Sequence, residues 1–236
     1  MKLKSVFGIA LITALFLVSC GDSKSSEAKP SHEQSEEVAF NYNVEQFADI
    51  KILRYQIPGW ENLTLKEQKL VYYLTQAGLA GRDIIWDQNY RHNLTIRKAL
   101  ENVYTNYNGD KTAEDWLALE TYLKRVWFSN GIHHHYSNDK IKPGFSSEYL
   151  RTLLTETNTT LEGEAFDVIF NDADAKKVNQ AKGVDNVGLS AVNFYGPDVT
   201  NNDVQWFYAK MKSPNPDKPL SFGLNSQLVK DNGVIK

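Results

Sequence analysis

Cysteine is nearly absent: Cys20 is the only one in 236 residues, so no internal disulfide can form. Neither sign of charge dominates, with 26 lysines and arginines against 29 acids and a formal net charge of -3. The basic residues are dispersed and form no stripe interleaved with aromatics, which argues against nucleic acid as a partner. No segment recurs at a fixed period, so a solenoid is not expected. The long apolar run at residues 6–18 is too short for a membrane-spanning helix. Two catalytic signatures are missing as well. Ser129, Ser137 and Ser190 lack the G-x-S-x-G setting of a nucleophile elbow, and His32-Glu33-x-x-Glu36 has no second histidine to complete a helical zinc pair.

What is present begins with the N-terminus. Lys2 and Lys4 precede the apolar run, and Leu17-Val18-Ser19-Cys20-Gly21 closes it with small residues before a cysteine. That is the pattern of a bacterial lipoprotein signal. It predicts a signal peptide over residues 1–19, lipidation of Cys20, and a protein anchored on a membrane surface in the cell envelope. Residues 20–37 contain almost no aliphatic side chains and no aromatics, so they cannot bury enough surface to fold and are expected to form a tether. Folded structure is expected from about Val38, and the roughly two hundred residues that follow suffice for one sizeable domain or most of one. With 12 Tyr and 5 Trp, the core and any cleft walls are built from large amphipathic rings.

Residues 38–182 read as a helical region. Thr64-x-x-Glu67 is a capping box that should open a helix continuing through residues 69–81, with Leu70, Leu74 and Ala77 on an inward face. Gly78 and Gly81 either end that helix or let another backbone approach. Ile96, Leu100, Val103, Tyr104 and Tyr107 follow the helical interval, with Gly109 placed to cap the end. Thr112 is expected to open a third helix lined by Trp116, Leu119, Leu123 and either Val126 or Trp127. Ser146 or Ser147 opens a fourth, with Tyr149, Leu150, Leu153 and Leu154 inward. The acidic pairs Glu114 with Asp115 and Glu162 with Glu164 suit helix N-termini, where the macrodipole favours negative charge. Asn62, Asn93 and Asn158 head glycosylation sequons, which carry no weight behind a bacterial signal.

The pattern changes over residues 183–236. Val187, Leu189 and Ala191 alternate with small or polar residues and predict a strand ending at Tyr195-Gly196-Pro197. Thr200-x-x-Asp203 caps one further helix through Met211. Residues 220–230 predict another strand, and Asp231-Asn232-Gly233 a tight hairpin turn. The return arm has three residues before the sequence stops. Either the sequence stops inside a sheet, or a naturally short edge hairpin closes it.

Two segments carry a family resemblance. Residues 126–143, VWFSNGIHHHYSNDKIKP, combine Asn130-Gly131, a short polar run and Asp139-Lys140-x-x-Pro143. Residues 188–211, GLSAVNFYGPDVTNNDVQWFYAKM, follow at a compatible distance. In this order they resemble dipeptidyl peptidase III, the zinc metallopeptidases that remove dipeptides from peptide N-termini, and the resemblance extends over residues 65–236. It implies an α+β architecture: a mainly helical region, then the start of a β-rich, barrel-like lower lobe that is incomplete at its C-terminus. It further implies that the zinc motifs H-E-x-x-G-H and E-E-x-x-A lie beyond Lys236, so this chain is expected to bind no zinc and to be inactive alone. Short peptides are the implied substrates. Zinc would polarise the scissile carbonyl and activate water, while the lower lobe binds the peptide as an added strand.

No residue here is assigned a catalytic or metal-ligating role. Asn130, His133, His134, His135, Tyr136, Asn193 and Tyr195 are the candidates for lining the substrate cleft. The histidine trio lacks the i, i+4 spacing of a helical zinc pair and has no third ligand by spacing, although His133 and His135 would share a side on an extended backbone. Asn130 and Gly131 also suit a helix end, since both tolerate the left-handed conformation. The alternative reading is a non-catalytic envelope lipoprotein that binds peptide or glycan.

Overall fold

The computed structural model describes residues 40–211, 215, 217 and 226–236. Cys20, the signal peptide, the tether and the first half of the strand expected over residues 220–230 lie outside them. The chain divides into two units, Met1–Asn41 and Tyr42–Lys236, and the described helices, strands and core belong to the second. Its described residues form an α+β fold dominated by helices, with two small antiparallel sheets. Among them, no helix is long and apolar enough to cross a membrane.

The second unit opens with a hairpin that the helical reading of residues 38–182 did not anticipate. Strands β1 (Asn43–Phe47) and β2 (Ile50–Leu53) pair antiparallel, and the turn residue Ala48 takes a positive φ of 47°. Lys124 and Arg125 hold the hairpin through Glu45 and Asp49. A 3-10 turn, Trp60–Asn62, leads into α1 (Leu65–Ala80), whose capping box forms as the sequence requires: Thr64 accepts from the Glu67 amide and Glu67 accepts from the Thr64 amide. The inward face expected for α1 does not exist here. It buries no residue, and Leu70 and Leu74 are both exposed. Gly81 ends α1 and begins α2 (Arg82–Asn89).

Helix α3 (Asn93–Asn106) is the centre of the unit, packing against α2, α4 (Glu114–Ser129), α5 (Ser147–Glu156) and α6 (Glu164–Phe170). Ile96, Ala99, Leu100 and Val103 recur at helical spacing and are buried. They meet Trp116, Leu119, Leu123 and Val126 of α4 and Leu150, Leu153 and Leu154 of α5 in one core. Ser146 is the N-cap of α5, accepting from the Tyr149 amide at 3.0 Å. Glu114 and Asp115 stand in the first turn of α4, and Glu164 in that of α6.

Two expected end signals serve other purposes. Gly109 does not cap α3, which ends at Tyr107 in extended backbone; the Tyr107 ring lies over Gly109, where any Cβ would overlap it. Thr112 does not cap α4 either. Its amide and hydroxyl both donate to Asp110 Oδ1, at 2.8 and 2.6 Å, and the N-cap position falls to Ala113.

The strand expected at Val187, Leu189 and Ala191 is replaced by consecutive turns. Asp185 Oδ1 accepts from Gly188 N at 3.1 Å and Asn201 N at 3.0 Å, and Ser190 Oγ donates to Asn186 O at 2.6 Å. Local side-chain acceptors and a donor thus take backbone groups that a ladder would need. What survives of it are two isolated parallel bridges, Lys176 to Ser190 and Tyr195 to Leu228. Helix α7 (Asn201–Lys210) has the expected capping box between Thr200 and Asp203. The last hairpin pairs β3 (Lys230–Asp231) with β4 (Val234–Ile235) around Asn232 (φ 49°) and Gly233 (φ 78°), the positive values that the Asn-Gly turn predicts.

Candidate functional site

The first resembling segment starts where α4 stops. Asn130 takes the left-handed conformation (φ 51°, ψ 45°), and Gly131 N donates back to Val126 O at 3.1 Å. The chain then folds into a tight loop: Ile141 N donates to Ile132 O at 2.8 Å, and His134 N to Asp139 O at 2.7 Å. Asn-Gly and Asp-Lys are therefore the two feet of one loop, with the histidines between them. Asp139 pairs with Lys176 at 2.7 Å. Lys140 donates to Val168 O at 2.7 Å and to Asn171 O, closing the C-terminal end of α6, where a cation is favoured.

Behind the loop sits Asn93, a residue that sequence reading passed over as part of a sequon. Its side chain is buried; Nδ2 donates to Trp86 O at 3.1 Å and Oδ1 accepts from Ile132 N at 3.1 Å. One amide thereby joins α2, α3 and the loop after α4.

The three histidines have different tasks. His133 is 2% exposed, its Nε2 lies 2.9 Å from Ala175 O, and its ring meets Tyr90 edge-on at 5.2 Å. Tyr90 in turn donates to the Asp174 carboxylate at 3.1 Å, and burial first, then Asp174, pushes its phenol well above the ordinary range. His134 Nδ1 accepts from the amides of Tyr136 and Ser137, at 3.2 and 3.1 Å. His135 packs against Phe128 at 4.9 Å and Tyr136 at 4.4 Å. Tyr136 is 83% exposed. Among the described residues, no three His, Cys, Asp or Glu side chains converge as metal ligands. His133 and His134 each spend a ring nitrogen on the backbone.

Burial holds the His133 imidazole below its ordinary value; the bond to Ala175 O and the Asp174 charge oppose the shift, while Lys177 and Lys140 add to it. His135 is lowered in the same direction, by burial and then by His134. A base depressed in the folded state contributes stability above its unfolded value of about 6.5 and loses it as pH falls from there through the folded value. Stability should therefore drop as pH falls below about 6.5. His133→Asn should flatten that part of the curve of urea midpoint against pH, and an unchanged slope would refute the assignment.

The second resembling segment is held from both sides. Asn193 N donates to Gln88 O at 2.8 Å, and Asn193 Nδ2 reaches Asp87 Oδ1 at 3.4 Å. Gln227 Nε2 donates to Asn193 Oδ1 at 2.7 Å. Tyr195 forms a parallel bridge with Leu228, in which Leu228 N donates to Phe194 O at 2.9 Å and Gly196 N to Leu228 O at 2.7 Å. Lys230 pairs with Asp203 at 2.7 Å, and that pairing, with the Thr200 bonds, holds the Asp203 carboxyl down at about 2.

Helix α2 joins the two segments. Gln88 accepts from Asn193, while its neighbour Asn89 donates from Nδ2 to Asn130 O at 3.0 Å. Alongside lies an open cleft of about 570 Å³, lined by Asp83, Ile84, Asp87, Gln88, Leu94, Asn193, Ser226 and Gln227. Asp83 and Asp87 stand one helical turn apart. Arg97 engages Asp83 at 2.8 Å and holds its carboxyl below the usual range; Asp87 takes the longer contact from Asn193. Of the seven cleft candidates, Asn193 lies on this wall, Asn130 bonds to Asn89 on the same helix, and Tyr195 braces the Gln227–Leu228 segment. His133 is in the core, and His134, His135 and Tyr136 form a separate cluster. Asp87 and Gln227 escaped sequence reading; the spacing of two acids at i and i+4 after Gly81 was the local signal for Asp87, and Gln227 had none. No protein-family model matches this chain, and no curated protein matches it.

Proposed function

We propose that this chain is part of a dipeptidyl peptidase III-like zinc peptidase, contributing a cleft wall that takes the N-terminal end of a peptide. The observation that carries this reading is the meeting of both resembling segments on consecutive residues of α2, Gln88 and Asn89, beside an acidic and amide-rich cleft. A peptide N-terminus is a cation followed by backbone donors and acceptors. Asp87 offers a carboxylate for the ammonium, Asn193 and Gln227 offer amides for the backbone, and Ile84 and Leu94 offer apolar contact for a side chain.

Zinc chemistry is assigned to residues outside this sequence, so the chain alone binds and orients but does not hydrolyse. The β-rich, barrel-like lower lobe belongs to the same proposal, with the isolated Tyr195–Leu228 bridge and the last hairpin as its described β pairing. So does a lipid anchor at Cys20 in the cell envelope. Titration of the chain with a tetrapeptide by calorimetry tests the reading. A free N-terminus should bind about tenfold more tightly than its acetylated form, and Asp87→Asn should remove the difference, as loss of one charge-assisted bond predicts. Equal affinity for both peptides, or heat from an oligosaccharide in place of the peptide, would overturn it.

A further inference from the structure

We infer that Asn108 is a site of spontaneous deamidation, selected by the fold from three Asn-Gly pairs, and that its isoaspartyl product loosens the aromatic core beside it. The pairs are Asn108-Gly109, Asn130-Gly131 and Asn232-Gly233. In each, glycine leaves the following amide unhindered, so the local sequence ranks them alike. The reaction joins the glycine nitrogen to the asparagine Cγ. That bond forms as the amide proton is lost and the side-chain nitrogen leaves as ammonia, giving a five-membered imide. Water then opens the ring, either at Cγ to aspartate or at the backbone carbonyl carbon to isoaspartate. Nothing is oxidised or reduced: an amide and water become a carboxylate and ammonium.

Backbone geometry separates the three pairs. Asn130 (φ 51°, ψ 45°) and Asn232 (φ 49°) are left-handed. In that conformation the next nitrogen lies nearly opposite Cβ across the Cα–C bond, and ring closure needs a rotation of roughly 165°, against roughly 80–105° from the helical and extended wells. Neither residue can rotate alone. Gly131 N is bonded to Val126 O at 3.1 Å and Asn130 O to Asn89, while Asn232 turns the β3–β4 hairpin. Asn108 is not left-handed. It is exposed in the loop between α3 and α4, and the Gly109 amide has no hydrogen-bond partner among the described residues. Its side chain is held by Nδ2 donating to Asn106 O at 3.0 Å, an exposed bond that water replaces at little cost.

The consequence lies in the neighbouring rings. The Tyr107 ring lies over Gly109 and stacks on Trp116 at 4.5 Å. An isoaspartyl link carries the chain through Cβ and Cγ, which inserts one backbone atom between Tyr107 and Gly109 and displaces the glycine from beneath that ring. Plain aspartate leaves the backbone as it is.

Peptide mapping by mass spectrometry tests the assignment on the full chain held in mildly alkaline buffer at physiological temperature. Asn108 should gain about 1 Da roughly tenfold faster than Asn130 or Asn232, and in guanidinium chloride the three rates should converge. The aged fraction, separated by anion exchange, should melt roughly 4 °C below the fresh protein. Asn108→Asp, with the same added charge and an unaltered backbone, should keep the native midpoint. Asn130 or Asn232 matching Asn108 in the folded chain, or the same ranking persisting in guanidinium chloride, would overturn the site. An aged fraction that melts with the fresh protein, or an Asn108→Asp midpoint as low as that of the aged fraction, would overturn the effect of the inserted atom on the core.

Discussion

Trp116→Ala should cost about 3–5 kcal/mol of stability, the range for emptying a buried aromatic site, and lower the melting midpoint by roughly 10 °C. Trp116 is 1% exposed and stacks on Tyr107 at 4.5 Å and on Tyr104 at 6.0 Å, with the Lys111 ammonium 5.2 Å from its ring centre. The site cannot collapse readily. Tyr107 is fixed where the backbone leaves α3, over Gly109, and Tyr104 is held by Trp127 edge-on at 5.7 Å and by its hydroxyl bond to Glu120. Trp206→Ala is the control: that ring is exposed on α7, its near neighbour is the Lys210 ammonium, and its loss should stay within about 0.5 kcal/mol. Urea denaturation of both variants measures the contrast. A cost below about 1 kcal/mol at Trp116 would mean that the aromatic stack is not part of the cooperative core.

The features legible in the sequence are those decided within about four residues. Thr64 with Glu67, Thr200 with Asp203 and Asn232-Gly233 each contain donor, acceptor and backbone preference locally, and all three form. The core faces of α3, α4 and α5 were legible for a related reason: a 3.6-residue period over three or four turns leaves one apolar stripe. The same argument failed at α1, because periodicity identifies a side that seeks cover without supplying it. At Val187–Ala191 the alternation was real but short, and the acceptors of Asp185 and Asn186 turned the backbone before a ladder could form. The cleft was the least legible part. Asp87, Asn193 and Gln227 come together over as many as 140 residues, through backbone bonds such as Asn193 N to Gln88 O that no local pattern announces. Asn93 was hidden similarly, since nothing in Asn-Leu-Thr says that its amide is enclosed between Trp86 and Ile132.

Gly131→Ala should destabilise the protein by about 3 kcal/mol, and less when Asn93 is shortened at the same time. Gly131 has φ 148°, a region that side-chain-bearing residues rarely adopt, and a Cβ there would overlap the Asn93 amide. Asn93→Ala alone should cost about 2–4 kcal/mol, because Trp86 O and Ile132 N lose their partner in the interior. In the double variant the overlap disappears while the backbone strain remains, so its cost should fall short of the sum by about 1–2 kcal/mol. Additivity within about 0.5 kcal/mol would show that the two residues do not press on each other. The pair also governs the cleft at a distance. Asn130, directly before Gly131, accepts from Asn89, and Gln88 beside it holds Asn193 on the cleft wall. A shifted Gly131 therefore moves the foot of the loop against α2, and Gly131→Ala should weaken binding of the free-amine tetrapeptide even at temperatures where the variant is fully folded.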